Sequence, residues 1–222
     1  MNSEILLTSD GSHSLYVPEI DECYHSTHGA VQESLHIFIE AGLKQCNKQE
    51  ICVLEIGFGT GLNAFLTLLE AERSEKKINY ISLELFPVEI NKALQLNYPD
   101  ILDPDKRQIF KQMHTCAWNE EIQLTPFFDL TKIKTDFTEY AFKNNFDIVF
   151  FDAFSPEKQP EMWSDKQFEK IYANCNQGAV LTTYCAKGIV RRTMQSAGFE
   201  VERIPGPPGK REMLRGVRIL KG

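Results

Sequence analysis

Three carboxylates stand where apolar runs of this sequence end: Glu55 in ICVLEI, Glu84 in NYISLEL and Asp152 in FDIVFFD. Glu55 leads at once into Gly57, Gly59 and Gly61, and a helical pattern opens at Leu62-Asn63-Ala64-Phe65. A buried strand, a glycine loop and a helix N-terminus in that order form the context of a nucleotide-binding loop. Glycine lets the chain turn tightly and lets a ligand approach the main chain. Glu84 lies 23 residues after Gly61, near the roughly 20 expected for an acid that takes ribose hydroxyls. An acid ahead of the first glycine, E-x-G-x-G-x-G, would repel a pyrophosphate but complement an ammonium. The pattern therefore favours S-adenosylmethionine over a dinucleotide; the competing reading is a glycine turn with structural duties alone.

These residues need elements to hold them. Residues 5–27 alternate polar and apolar about Asp10-Gly11, a hairpin signal. Gly29 to Gly42 reads as an amphipathic helix with Val31, Leu35, Phe38 and Ile39 on one face. Strand 51–56, helix 62–72 and strand 79–85 follow, then a helix opened by Pro87. Residues 100–120 are helical but weakly patterned, and QLTPFFDLT and KIKTDF are short extended runs. FDIVFFD at 146–152 and GAVLTTYC are buried strands, separated by a helix over about 164–174. KGIVRRTMQSAG is a helix closed by Gly198. FEVERIP and EMLRGVRIL pair as a hairpin about Gly206-Pro207-Pro208-Gly209. Strands alternating with helices predict a mostly parallel, doubly wound α/β sheet, Rossmann-like, with a C-terminal antiparallel hairpin. A closing antiparallel pair suits the class I methyltransferase version of that sheet. One domain over 1–222 is expected, with 1–48 an N-terminal hairpin and helix extension and 49–222 the core.

Bulk properties narrow the class. Hydrophobic residues at 42 % and charged residues at 25 % are ordinary for a globular chain. No run approaches a membrane span, no signal peptide opens the sequence, and six cysteines without a C-x-x-C pair suit a reduced cytoplasmic protein. The net charge of -7 argues against nucleic acid, but it is unevenly spread. Cys185 to Gly222 holds nine Lys or Arg and three Glu. A positive end on an acidic body is a feature of polyanion binders; chance clustering on a solvated face is the alternative. His25 and His28 lack a third and fourth ligand, so no metal is expected.

The segments YHSTHGAVQESLHIFI, LEIGFGTGLNAF, FFDAFSPEKQPEMWS, TYCAKGIVRR and GPPGKREMLRG occur in this order. Together they resemble the methyltransferase part of the MnmC family of tRNA wobble-uridine modification enzymes, from about Asp10 to Gly216. The resemblance implies S-adenosylmethionine-dependent N-methylation of a 5-aminomethyl group on a wobble (2-thio)uridine in the tRNA anticodon region, giving 5-methylaminomethyl-2-thiouridine. Two-activity members continue into a flavin-dependent oxidase domain. This chain resembles the stand-alone methyltransferase form, so no flavin and no oxidase step are expected. One departure is visible: the family's L-D-G-F-A-P block reads here as Phe151-Asp152-Ala153-Phe154-Ser155-Pro156, with alanine for glycine at 153.

Within that frame Glu55 is expected to help hold the cofactor's α-ammonium through loop backbone or water, and Glu84 to take both ribose hydroxyls. Asp136 resembles the position that receives the adenine amino group, or else it is a helix N-cap. Asn63 is a cofactor-side residue or a first-turn polar residue, and Tyr24 and Glu33 are expected to close over the cofactor. Asp152 is the candidate catalytic carboxylate, accepting an N–H of the substrate amine and orienting its lone pair. Phe154, Pro156 and Trp163 are candidate walls of a base pocket, although Trp163 also suits a core. Lys187, Arg191, Arg192, Lys210 and Arg211 are candidate phosphate contacts. Methyl or aminopropyl transfer to a small free amine and a non-catalytic cofactor-binding module are the competing functions.

Overall fold

The structure is a computed structural model describing residues 2–219. A three-stranded antiparallel sheet opens it: β1 (Glu4–Leu7), β2 (His13–Val17) and β3 (Glu22–Cys23). The β1–β2 turn does more than reverse the chain. Asp10 accepts hydrogen bonds from its neighbours Thr8 and Ser12 and from the backbone N–H of Gln32, at 3.0 Å. It thereby caps helix α1 (Ala30–Ser34), where Gly29 has no side chain to do so. These hydrogen bonds hold the Asp10 carboxyl below its ordinary range against the opposing effect of burial.

The single helix expected over Gly29 to Gly42 is interrupted. After α1 the chain widens into a π-helical turn at Leu35–Glu40. The added residue per turn rotates the face, so Ile37 is buried with Phe38 and Ile39 while Leu35 is only half-buried.

β4 (Glu50–Ile56), α2 (Leu62–Ser74) and β5 (Lys77–Glu84) follow the expected pattern. Pro87 does not open a helix; it lies in the loop ahead of the short α3 (Ile90–Ala93). The 100–120 region resolves into α4 (Tyr98–Leu102), a 3₁₀ turn and α5 (Arg107–Thr115). QLTPFFDLT is the two arms of a hairpin, β6 (Glu121–Thr125) and β7 (Phe128–Lys134), and KIK is the end of β7 rather than a separate run. β8 (Phe146–Phe151), α6 (Asp165–Ala173), β9 (Cys175–Thr183), α7 (Gly188–Ala197), β10 (Glu200–Pro205) and β11 (Glu212–Val217) complete the chain. Gly198 ends α7 at φ 115°, a left-handed cap that suits glycine. The expected reach of the last strand to Leu220 lies outside the described residues.

These strands form one eight-stranded sheet, ordered β10-β11-β9-β8-β4-β5-β7-β6. β7, β5, β4, β8 and β9 run parallel, while β11, β10 and β6 are antiparallel to their neighbours. β8 is buried along its whole length, as a central strand covered on both faces must be. Phe65, Tyr98 and Phe110 pack on one face of the sheet, and Phe168, Val190 and Met194 on the other. The small sheet is tied to α4 and the residue before it: Asn97 accepts from His13 N–H and donates to the Gly11 carbonyl, and Tyr98 donates to the His13 carbonyl. No helix among the described residues is long and apolar enough to cross a membrane.

Candidate active site

Because β4, β5, β7 and β8 are parallel, their C-terminal ends lie on one edge of the sheet, where ligands of doubly wound folds bind. A cavity of about 420 Å³ opens there, within the range of small-molecule sites. The glycine loop forms its floor. Gly57, Gly59 and Gly61 have φ of 93°, 50° and 73°, a region L side chains avoid. A Cβ on Gly57 would meet the Asp152 carbonyl at 2.9 Å, and one on Gly59 the Tyr24 ring at 2.9 Å. Gly61 is packed against His114 and shapes the loop from behind without lining the cavity.

Glu84 lines the cavity and braces the loop, accepting from Gly59 N–H at 3.0 Å and Phe86 N–H at 2.8 Å. Burial raises its pKa, while those backbone donors oppose the rise. Asp136 also lines the cavity. Its Oδ1 accepts from Thr138 N–H and Oγ1, both at 2.7 Å, holding the turn after β7; no helix follows there, so the N-cap alternative does not hold.

Asp152 sits at the end of β8 with Asn63 beneath it: Asn63 Nδ2 donates to Asp152 Oδ2 at 2.8 Å. Its Oδ1 has no protein donor among the described residues. Burial pushes Asp152 up to about 7; the Asn63 hydrogen bond opposes the shift and the Glu33 charge adds to it. Alanine at 153 costs the loop nothing in backbone freedom, because Ala153 does not take positive φ. Glu33 and Lys210 form an ion pair at 2.6 Å on the cavity wall, with Lys210 Nζ 4.3 Å from the Tyr184 ring centroid. Tyr24 and Phe154 meet edge to face at 5.1 Å on the same wall.

Other expected site residues fall elsewhere. Glu55 is fully buried in the sheet and does not reach the cavity; its carboxylate faces its register partner Ser82, whose Oγ donates to it at 2.6 Å. Trp163 is 5 % exposed, packed on Phe151 and Phe168, and its indole N–H holds the Phe154 carbonyl at 2.8 Å. It supports the loop that carries Phe154 and presents no face for stacking. Pro156 is half-buried on that loop, outside the lining. Lys187 pairs with Glu157, and Arg191, Arg192 and Arg211 lie outside the cavity.

Sequence reasoning missed Tyr184, which donates to the Ala153 carbonyl at 2.9 Å, and Glu22, which accepts from Ser155 N–H and Oγ. Glu22 sits in the short β3, and only the small sheet's placement brings it to Ser155. His25 is buried, with Nε2 2.7 Å from Thr60 Oγ1; burial pushes it down to about 4, so it is neutral. Among the described residues no group of three or more His, Cys, Asp or Glu could hold a metal ion.

The sheet order and the glycine loop at its C-terminal edge define a class I, Rossmann-like methyltransferase. A family model described as S-adenosyl-L-methionine-dependent methyltransferase matches residues 89–219, and the chain belongs to that family. It is 30 % identical to the tRNA 5-methylaminomethyl-2-thiouridine biosynthesis bifunctional protein MnmC of Cupriavidus metallidurans, over 95 % of this chain and 33 % of that protein. The protein of the same name from a Marinomonas species is 31 % identical, over 89 % of this chain and 31 % of its own length. The chain thus spans about a third of these curated relatives. Among solved structures, MnmC2 from Aquifex aeolicus aligns over the whole chain and 71 % of its own, with a TM-score of 0.80 and 27 % identity. Spermidine synthase from Thermotoga maritima shares the fold alone, at a TM-score of 0.53 and 13 % identity.

Proposed function

We propose that this chain methylates the primary amine of a 5-aminomethyl group on a wobble (2-thio)uridine of tRNA, using S-adenosylmethionine. The observation that carries the reading is Asp152, its Oδ1 unbonded at the edge of a cavity walled by Tyr24, Phe154 and Tyr184. The names of the homologous proteins support the same substrate.

The residues present suit the cofactor. Glycines at positive φ let the loop turn tightly beside the cavity, where a Cβ on Gly57 or Gly59 would meet the Asp152 carbonyl or the Tyr24 ring. Glu84 offers a carboxylate at the end of β5 for ribose hydroxyls, and Asp136 a second carboxylate oxygen for an adenine amino group. Tyr24 and Glu33 close the same side. When bound, S-adenosylmethionine supplies an electrophilic methyl group on a sulfonium.

Asp152 does the proton work. An alkylamine is mostly protonated at neutral pH, and Asp152 Oδ1 accepts one of its N–H protons and orients the lone pair. A carboxylate brought up to about 7 by burial is matched to general-base duty near neutral pH. Tyr24, Phe154 and Tyr184 offer apolar faces to an unpaired base, and their bulk excludes water from the amine. A tRNA substrate implies that the protein works in the cytoplasm, acting as one domain over 1–222.

The test is methyl transfer to tRNA bearing 5-aminomethyl-2-thiouridine, read by nucleoside mass spectrometry. Asp152→Asn should keep cofactor affinity and slow the reaction by about 10²–10⁴-fold. Wild-type turnover in that variant would make the carboxylate structural, and an unmodified substrate with wild-type protein would refute the reading.

A further inference from the structure

Glu55 lies in the sheet and does not line the cavity, so a carboxylate that touches the cofactor's α-ammonium has to come from elsewhere in the lining. The amino-acid end of S-adenosylmethionine carries that ammonium and an α-carboxylate side by side. Taking either charge out of water without a partner is costly. The cavity therefore needs one anion and one cation, close together, on the side away from the adenosine.

The order of the strands says which side that is. Asp136 follows β7 and Glu84 ends β5, and both are assigned to the adenosine. β4 with the glycine loop comes next, then β8 with Asp152, then β9, which Tyr184 follows. With the methyl group turned to Asp152, the amino-acid end leaves β5 toward β8 and the segment above the glycine loop.

One ion pair stands there. Glu33 on α1 is 6 % exposed, and its Oε2 accepts from Ser26 N–H at 2.8 Å. Ser26 follows His25, whose ring is fixed on Thr60 of the glycine loop. Lys210 Nζ lies 2.6 Å from Glu33 Oε1, at an angle that makes no hydrogen bond, and 4.3 Å from the Tyr184 ring centroid. An ammonium carries three N–H donors, so Lys210 can serve an anion besides Glu33. Among the described residues it is the only Lys or Arg that lines the cavity, and the buried His25 is neutral. Of the other acids in the lining, Glu22 is taken by Ser155 and Glu161 is exposed.

The backbone under Lys210 is held in place. In the β10–β11 loop Lys210 N–H donates to the Pro207 carbonyl at 2.9 Å, and Gly206 N–H to the Arg211 carbonyl at 3.1 Å. Gly209, at φ 85°, lies flat against the His28 ring, where no Cβ could fit. The hairpin tip is thereby pressed onto the segment between β3 and α1.

We infer that Glu33 and Lys210 form the amino-acid end of the cofactor site, Lys210 taking the α-carboxylate and Glu33 the α-ammonium. Lys210 is then a cofactor ligand and not a phosphate contact. The inference rests on the reading of the cavity as an S-adenosylmethionine site, whatever amine receives the methyl group.

The test is calorimetry on the full chain with three thioethers: S-adenosylhomocysteine, its decarboxylated form, and 5′-methylthioadenosine, which lacks both charges. Ratios of affinities are read, so that damage to the fold or to the adenosine site cancels, and retained binding of 5′-methylthioadenosine shows that each variant is folded. Lys210→Met should shrink the preference for S-adenosylhomocysteine over its decarboxylated form by about 10- to 150-fold, the scale of a charged hydrogen bond. Lys210→Arg should keep most of that preference. Glu33→Gln should shrink the preference for the decarboxylated form over 5′-methylthioadenosine by a similar factor. Either ratio unchanged in its variant overturns the proposal. A tRNA salt dependence flattened by Lys210→Met with both ratios fixed overturns it too, and returns Lys210 to phosphate binding. Shifted ratios in a protein that leaves 5-aminomethyl-2-thiouridine tRNA unmodified would remove the proposed substrate and keep this ion pair as the cofactor's.

Discussion

At the residue scale, the two strand-end glutamates have opposite fates. Glu84 projects into the cavity and is held by two backbone N–H groups, so it is both loop brace and expected ribose ligand. Glu84→Ala should weaken S-adenosylmethionine binding by about 1.5–3 kcal/mol, the scale of charged hydrogen bonds; calorimetry on the folded variant measures it. Glu55 points into the sheet, where burial lifts it from an ordinary value of 4.5 to about 8. A carboxyl that is harder to ionise in the folded chain stabilises the fold below its unfolded pKa, and that contribution is lost as pH rises through the folded value. Wild type should therefore lose stability relative to Glu55→Gln from about pH 4.5 to about pH 8, approaching 1.4 kcal/mol per pH unit. Urea unfolding of both proteins at pH 5 and pH 8 gives the difference directly.

At the element scale, the small N-terminal sheet acts as a part of the site. It brings Glu22, Tyr24 and His25 over the glycine loop, and Asp10 couples it to α1, which carries Glu33. Removing that cap by Asp10→Ala should cost about 0.5–2 kcal/mol, read as a lower urea midpoint. Asp10-Gly11 was legible as a turn because its signal is local. Its capping of α1 was not, since the acceptor and the Gln32 N–H are 22 residues apart. The widened turn at Leu35–Glu40 and the loop at Pro87 escaped for a related reason. Each keeps helix-compatible residues, and packing against the sheet decides the backbone.

At the scale of the whole molecule, the positive C-terminal stretch is less free than its count suggests. Lys187, Lys210, Arg203 and Arg215 are paired with Glu157, Glu33, Glu212 and Glu202, and Lys221 lies outside the described residues. Arg192 and Arg211 are exposed and have no ion pair among the described residues. Neutralising both to Ala should weaken tRNA binding and flatten its log–log salt dependence by about 0.7–0.9 for each phosphate that is no longer neutralised. Cofactor affinity should hold, because neither residue lines the cavity. An unchanged slope would assign tRNA docking to another surface.

The doubly wound sheet is legible in the sequence alone, since strand and helix periods, glycine caps and the strand–loop–helix order are local signals. So is the arrival of Glu84 and Asp152 at the ligand-binding edge, because in a parallel sheet the end of each strand is set by topology; Asp136 was placed by resemblance alone. The direction each side chain takes from that edge was a tertiary matter. Glu55 and Glu84 look alike in sequence and both lie on strands flanked on either side, yet Glu55 stops one residue short of the end of β4 and meets Ser82 on β5, whereas Glu84 is the last residue of β5 and lines the cavity. Asn63 read as a cofactor-side or a first-turn residue, and only the tertiary fold sets its amide on Asp152. Trp163 packs in the core while Tyr184, which the sequence did not single out, lines the cavity, for the same reason: which aromatic faces the cavity depends on what fills the space behind it.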